Sequence, residues 1–167
     1  MTEQFDSLKD EGTFAGLLGA ATVAIWFLVL DFIAGAPMRT PSVLGQVLLL
    51  GRDNPDVVNV DFAGVILYSA FHVALFLIFG LALSRLLRWA ESESVVRYAL
   101  LQVFLVFEVF FVALLWMYNE TTRTLFPIWK TLIANTLAAL VMGWYLWKHH
   151  PALRAAIKKV PLGAAPV

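Results

Sequence analysis

Four stretches of the chain stay apolar for about 20 residues or more, the length one helix needs to cross a bilayer. They run from Phe14 to Ile33, Phe62 to Leu83, Val95 to Trp116 and Leu125 to Trp147. The joints between them are short and polar, apart from residues 34–61. Glu91-Ser92-Glu93-Ser94 predicts a turn, with Ser92 or Ser94 capping the third helix. Pro127 falls in the first turn of the fourth helix, where its missing N–H costs little, and Thr124 is placed to cap it. Pro151 and the tail from Lys158 to Val167 end the helical pattern. The pattern predicts an all-α integral membrane four-helix bundle. Residues 1–167 form one transmembrane domain, with residues 1–12 and 148–167 as tails.

Within residues 34–61, Thr40-Pro41 reads as a cap followed by proline at the first helical position. Val43 to Leu50 is apolar, and Gly51 can stop the helix. At half the spanning length, a helix over residues 41–50 should lie in the interface or dip into the bundle. A turn around Asn54-Pro55 follows. A lid over the bundle end is preferred here to a substrate-gating loop, because short interfacial helices commonly cover polar ends.

Composition supports the membrane reading. Of 167 residues 60% are hydrophobic and only 14% charged, against about 25% charged in soluble domains. Twelve Lys+Arg balance twelve Asp+Glu, so there is no basic excess for nucleic acid. The chain has no Cys, hence no disulfide, thiolate metal site or thiol nucleophile. Ala34-Gly35-Ala36 mimics a signal-peptide cleavage site, but the apolar run before it is too long and its flank too acidic, so the helix should be retained.

Charge distribution predicts orientation. With the N-terminus inside, Lys9, Arg85, Arg88, Arg97, Lys148, Arg154, Lys158 and Lys159 lie inside and Arg39, Arg52, Arg123 and Lys130 outside. Aromatic belts agree, with Trp89, Tyr98, Trp144, Tyr145 and Trp147 inside and Trp116, Tyr118 and Trp129 outside. Both termini should be cytoplasmic.

Helices meet in lipid through small residues. Gly12, Gly16, Ala20 and Ala24 form one small face on the first helix. Ala134 and Ala138, with Ala139 and Gly143 beside them, offer another on the fourth, and these two are expected to pack together. Phe104, Phe107, Phe110 and Phe111 on the third should face lipid or another subunit. No internal repeat is evident, which argues against inverted-repeat transporters.

Each span carries a strongly polar residue: Asp31, His72, Glu108 and Asn135. At about 1.5 Å per residue, His72, Glu108 and Asn135 lie roughly 12–15 Å below the outer surface, with Asp31 above. An intramembrane carboxylate costs several kcal/mol unless neutral or paired. The economical arrangement turns these groups inward. His72 then lies within direct or one-water reach of Glu108, Asn135 is adjacent, and Tyr68 extends the network from one turn before His72. Arg39 and Arg52 in the outer loop are candidate counter-charges to Asp31. Such a cluster serves either as glue between helices or as a proton, cation or metal site. One His and two carboxylates suit iron or zinc, but the Glu-x-x-His pairs of di-iron bundles are absent. Haem is disfavoured because His72 is the only embedded His. The cofactor is left open. There is no phosphate loop, zinc signature or nucleophile elbow. Asn119-Glu120-Thr121 matches a glycosylation acceptor, a triplet common by chance.

The segments Gly16 to Gly45, Tyr68 to Gly80 with His72, and Ile128 to Arg154 with Asn135 and Tyr145-Leu146-Trp147-Lys148-His149-His150-Pro151 resemble small four-span bacterial membrane proteins to which no activity is assigned. That resemblance implies a bacterial inner-membrane location and carries no ligand or site residue. Two roles follow from the whole reading. One is an accessory or interaction subunit of a larger membrane complex, whose partners are the lipid bilayer and other subunits or a second copy. The other is a small proton-, ion- or redox-handling protein that uses the polar cluster.

Overall fold

A computed structural model describes residues 2–93, 96, 102, 103, 105, 106, 108, 109, 113, 124 and 126–159. Its elements are α1 (Thr2–Ile33), α2 (Arg39–Leu48), α3 (Phe62–Ser92), α4 (Ile128–His149) and α5 (Pro151–Lys159), with no strand among the described residues. Most of the third apolar stretch, its four phenylalanines, Ser94, Asn119-Glu120-Thr121 and the tail beyond residue 159 lie outside them.

Two described helices are long and apolar enough to cross a membrane: Lys9–Ile33 within α1, and α3. Both outrun the hydropathy pattern. Residues 2–13 continue α1 rather than forming a separate tail, and α3 runs through Arg85 and Arg88 to Ser92. Neither segment holds a proline or a glycine turn to break the ladder, and charged side chains on a helix end need only reach water. The expected turn at residues 91–94 therefore starts later. Ser92 Oγ donates to the Trp89 carbonyl at the end of α3.

Pro127 is the N-cap of α4, with extended backbone (φ −62°, ψ 141°), so it stands one residue outside the helix instead of in its first turn. Pro151 was expected to end the helical signal, yet it starts α5. A proline is pre-set for the first helical position, and it stops one helix and starts the next.

α1 and α3 cross at glycines. A Cβ on Gly80 would run into the Gly12 carbonyl and sit 2.8 Å from Gly16 Cα. The small face of α1 thus meets α3 at Gly80, and α1 also packs against α4 as expected, with Gly19 close against Met142. The face of α4 bearing Ala134, Ala138 and Met142 is still buried, in one core with Ala15, Ala20, Val23 and Phe76. Indole Nε1 of Trp26 donates to the Lys130 carbonyl at 3.0 Å, tying α1 to the first turn of α4.

α2 buries Val43, Leu44 and Val47 against Phe126, with Phe27 and Tyr68 packed on the same cluster. It starts at Arg39, after Met38 in the left-handed region (φ 65°). Its backbone touches α3 at Gly45 and Gly64, where a side chain on either would strike the other segment's backbone. Gly51 (φ 63°) supplies the left-handed residue that ends the segment.

Candidate functional site

The polar residues of the four apolar stretches divide into local pairs. Asp31, only 4% exposed, takes both of its hydrogen bonds from Thr40: the backbone N–H donates to Oδ2 at 2.7 Å and the hydroxyl to Oδ1 at 2.8 Å. Thr40 lies in the first turn of α2, so the carboxylate satisfies an orphan N–H and faces the positive end of the helix dipole. Capping here works in reverse of the expectation. Thr40 donates to a carboxylate on the preceding helix and does not cap α2 with its own oxygen.

Arg39 makes no ion pair with Asp31 among the described residues, although both border one small pocket with Lys130. Arg52 lies farther along the loop and pairs with Asp61 at 2.6 Å. Neither arginine is the counter-charge of Asp31, because a helix N-terminus fills that role.

His72 Nε2 lies 3.2 Å from the Ala20 carbonyl. A carbonyl only accepts, so Nε2 carries the proton and Nδ1 is left as an acceptor. The ring lies between Tyr68, stacked at 5.8 Å, and Phe76 at 4.8 Å. Asn135 Nδ2 donates to Glu108 Oε2 at 3.1 Å, with both residues 7% exposed. Glu108 Oε1 is buried without a hydrogen-bond partner. Of the two forms of contact expected between His72 and Glu108, the direct hydrogen bond is not made. Of the expected cluster, Glu108 and Asn135 come together, as do Tyr68 and His72, and Asp31 stands apart with Thr40.

Two grooves reflect this division. One, of about 390 Å³, lies between α1 and α3 and is walled by Ala20, Ala24, Tyr68, Ser69 and His72, with Thr40 and Pro41 above. The other, of about 280 Å³, lies between α3 and α4 and is walled by Phe76, Leu83, Asn135, Met142 and Leu146. The α3 residues of the first groove (Tyr68, Ser69, His72) and of the second (Phe76, Leu83, Leu87) follow one another along the same stripe of that helix, so the two grooves lie at successive heights on α3.

The densest polar network among the described residues lies between α1 and α3, in and after α2. Gln46 is fully buried. Its Oε1 accepts from the Asp56 N–H at 2.8 Å and from Arg52 at 3.1 Å, and its Nε2 donates to the Asp56 carbonyl at 3.1 Å. Ser42 Oγ accepts from the Asp61 N–H at 2.9 Å. Asp61 is the N-cap of α3, accepting from the Gly64 N–H. Asp56 binds its own turn through the N–H groups of Val58 and Asn59. These bonds from Asn59 and Val58 hold the Asp56 carboxyl below the usual carboxylate range. The Gly64 N–H, with Arg52, does the same for Asp61.

Sequence reading missed Gln46 and Asp61. Asp61 carried a signal, an N-cap residue immediately before an apolar run. Gln46 carried only its position as the one polar side chain within residues 43–50.

Among the described residues no three His, Cys, Asp or Glu side chains gather to hold a metal ion. Comparison with protein families, curated proteins and solved structures finds no match to this chain.

Proposed function

We propose that this protein is a four-span membrane protein, with both termini on the cytoplasmic side, that serves as an accessory subunit of a larger membrane assembly. The supporting observation is the exposure of its most apolar helix. Only 11% of the most hydrophobic window of α3 is buried, and Phe62, Ile66, Leu75 and Ile78 stand open. Apolar surface of that extent requires lipid or a partner helix around it. The polar side chains support a structural role as well. Asp31, His72 and Asn135 each spend their hydrogen bonds on a neighbouring element, as interhelical glue does.

The second reading is a proton- or cation-handling site at Glu108, favoured by its unpartnered buried Oε1.

One set of measurements separates the two. Reporter fusions at residues 53, 92, 120 and 160 should read outside, inside, outside, inside, and an outside signal at residue 92 or 160 would refute the topology. Native mass spectrometry of gently extracted protein should find it with other membrane chains in fixed ratio, and Ile66→Ala with Ile78→Ala should weaken that association. A lone 18.6 kDa species, together with loss of the cellular role on Glu108→Gln in a folded protein, would instead establish the second reading.

A further inference from the structure

The groove between α1 and α3 opens sideways. Leu17, Ile25 and Val73 on its rim are exposed. Its floor is Ala20, Ala21 and Ala24, whose small side chains leave a volume of about 390 Å³. That falls within the span of small-molecule sites, roughly 300–1,000 Å³. Above, α2 covers it with Thr40, which is already spent on Asp31. With α1 and α3 in a bilayer, the open side meets lipid and not water.

α3 lines this groove with three polar side chains, Tyr68, Ser69 and His72. A helical serine can return its hydroxyl to a backbone carbonyl one turn back. Tyr68 and His72 lack that outlet. Among the described residues the Tyr68 hydroxyl has no hydrogen-bond partner, and His72 spends Nε2 on the Ala20 carbonyl and leaves Nδ1 free. The two do not satisfy each other, since their rings stack at 5.8 Å with no hydrogen bond between them.

These unmet groups specify what would meet them. In lipid no water is at hand, and an unmet polar group is costly. Nδ1 only accepts, while a phenol both donates and accepts. One hydroxyl serves both, giving its proton to Nδ1 and taking the Tyr68 proton on its oxygen. A ketone or an ester has no proton for Nδ1, and a hydrocarbon tail offers neither partner. Charged head groups do not fit. Among the described residues no charged side chain lines the groove, and His72 lies about 15 Å along α3 from Phe62, a depth where unpaired charge is costly.

We propose that this groove binds an uncharged lipid alcohol, with its hydroxyl between Tyr68 and His72 and its apolar body on the alanine floor. His72 then has two roles, one nitrogen joining α3 to α1 and the other holding the ligand. The site rests on the membrane placement of α1 and α3, and on neither the subunit reading nor Glu108.

The probe is hexadecanol carrying a photoreactive diazirine in mid-chain, added to the full protein in lipid nanodiscs and located by peptide mass spectrometry. Label should concentrate on residues 17–28 and 68–73. Unlabelled hexadecanol should compete it away, and hexadecyl methyl ether, which keeps the apolar body but has no proton to donate, should not. Tyr68→Phe keeps the ring and removes only the hydroxyl. It should raise the hexadecanol concentration needed for competition about fivefold, the worth of one neutral hydrogen bond. Equal competition by the ether, or stronger competition by hexadecanoic acid, would overturn the proposal. Label spread over Ile66 and Ile78 that hexadecanol does not displace would also overturn it, while leaving α3 in the bilayer. If Tyr68→Phe fails to fold, the Nδ1 nitrogen shift of labelled His72 in the unaltered protein decides. It should move upfield with hexadecanol and stay in place with the ether, and no movement with hexadecanol would overturn the site.

Discussion

Replacing Gly80 by alanine tests the crossing on which the fold is built. The new Cβ would run into the Gly12 carbonyl on α1, with Gly16 N at 2.6 Å and Gly16 Cα at 2.8 Å, well inside the 3.4 Å where ordinary contact begins. All three obstacles are backbone atoms, so no rotamer change relieves them and the helices must move apart. Overpacking costs about 1–3 kcal/mol, and a backbone obstacle belongs at the upper end, about 2–3 kcal/mol. Alanine also gains up to about 1 kcal/mol of helix propensity over glycine. Gly143→Ala controls for that gain, because a Cβ there meets nothing within 4 Å. The difference between the two variants isolates the crossing. At 1.4 kcal/mol per decade, it amounts to roughly a 30- to 150-fold change in the unfolding constant. Unfolding by SDS in mixed micelles, followed by tryptophan fluorescence, measures both. Equal midpoints for Gly80→Ala and Gly143→Ala would show that α1 and α3 do not touch at this glycine.

Gln46→Ala should strip the Asp56 N–H and carbonyl of their partner and cost about 1–2 kcal/mol, the net loss of hydrogen bonds to an exposed residue that water can partly replace. Limited proteolysis should then cut residues 52–58 faster while the α1–α3 crossing stays intact, and an unchanged cutting rate would remove Gln46 from the centre of the loop. Acid should open the same loop. Asp56 and Asp61 have carboxyls held below their ordinary range, so their contribution is complete above about pH 4 and is lost as pH falls through their lower folded values. Carboxyl carbon shifts should titrate with midpoints below about 3.9 for both, and midpoints at or above that value would contradict the hydrogen bonding described.

The helical class and the two most apolar helices were legible in the sequence, because long apolar runs without prolines or glycine turns leave the backbone few alternatives to a helix. The short helix α2 was legible too, from a proline near its start and Gly51 past its end. Its bounds shifted by two residues because Asp31, not Thr40, accepts at its N-terminus. Helix ends were less legible. α1 and α3 extend beyond their apolar runs because hydropathy marks what lipid tolerates, not where the hydrogen-bond ladder stops.

Pairing was decided only in three dimensions. Small residues at spacing four identified a close-packing face on α1, but nothing in that spacing named Gly80 as its partner. Depth along each helix put His72, Glu108 and Asn135 at one level. It could not give rotation about the axis, and rotation sends His72 to the Ala20 carbonyl while Asn135 meets Glu108. Asp31 likewise found a backbone donor in place of an arginine, since a helix N-terminus supplies positive potential without a charged residue to mark it. His150 is the extreme case, with Glu91 Oε1 at 2.6 Å from its Nδ1 and Glu11 Oε1 at 3.1 Å from its Nε2. Its two carboxylates sit on other helices far away in the chain, and only the packing of α1, α3 and α4 brings them to one ring.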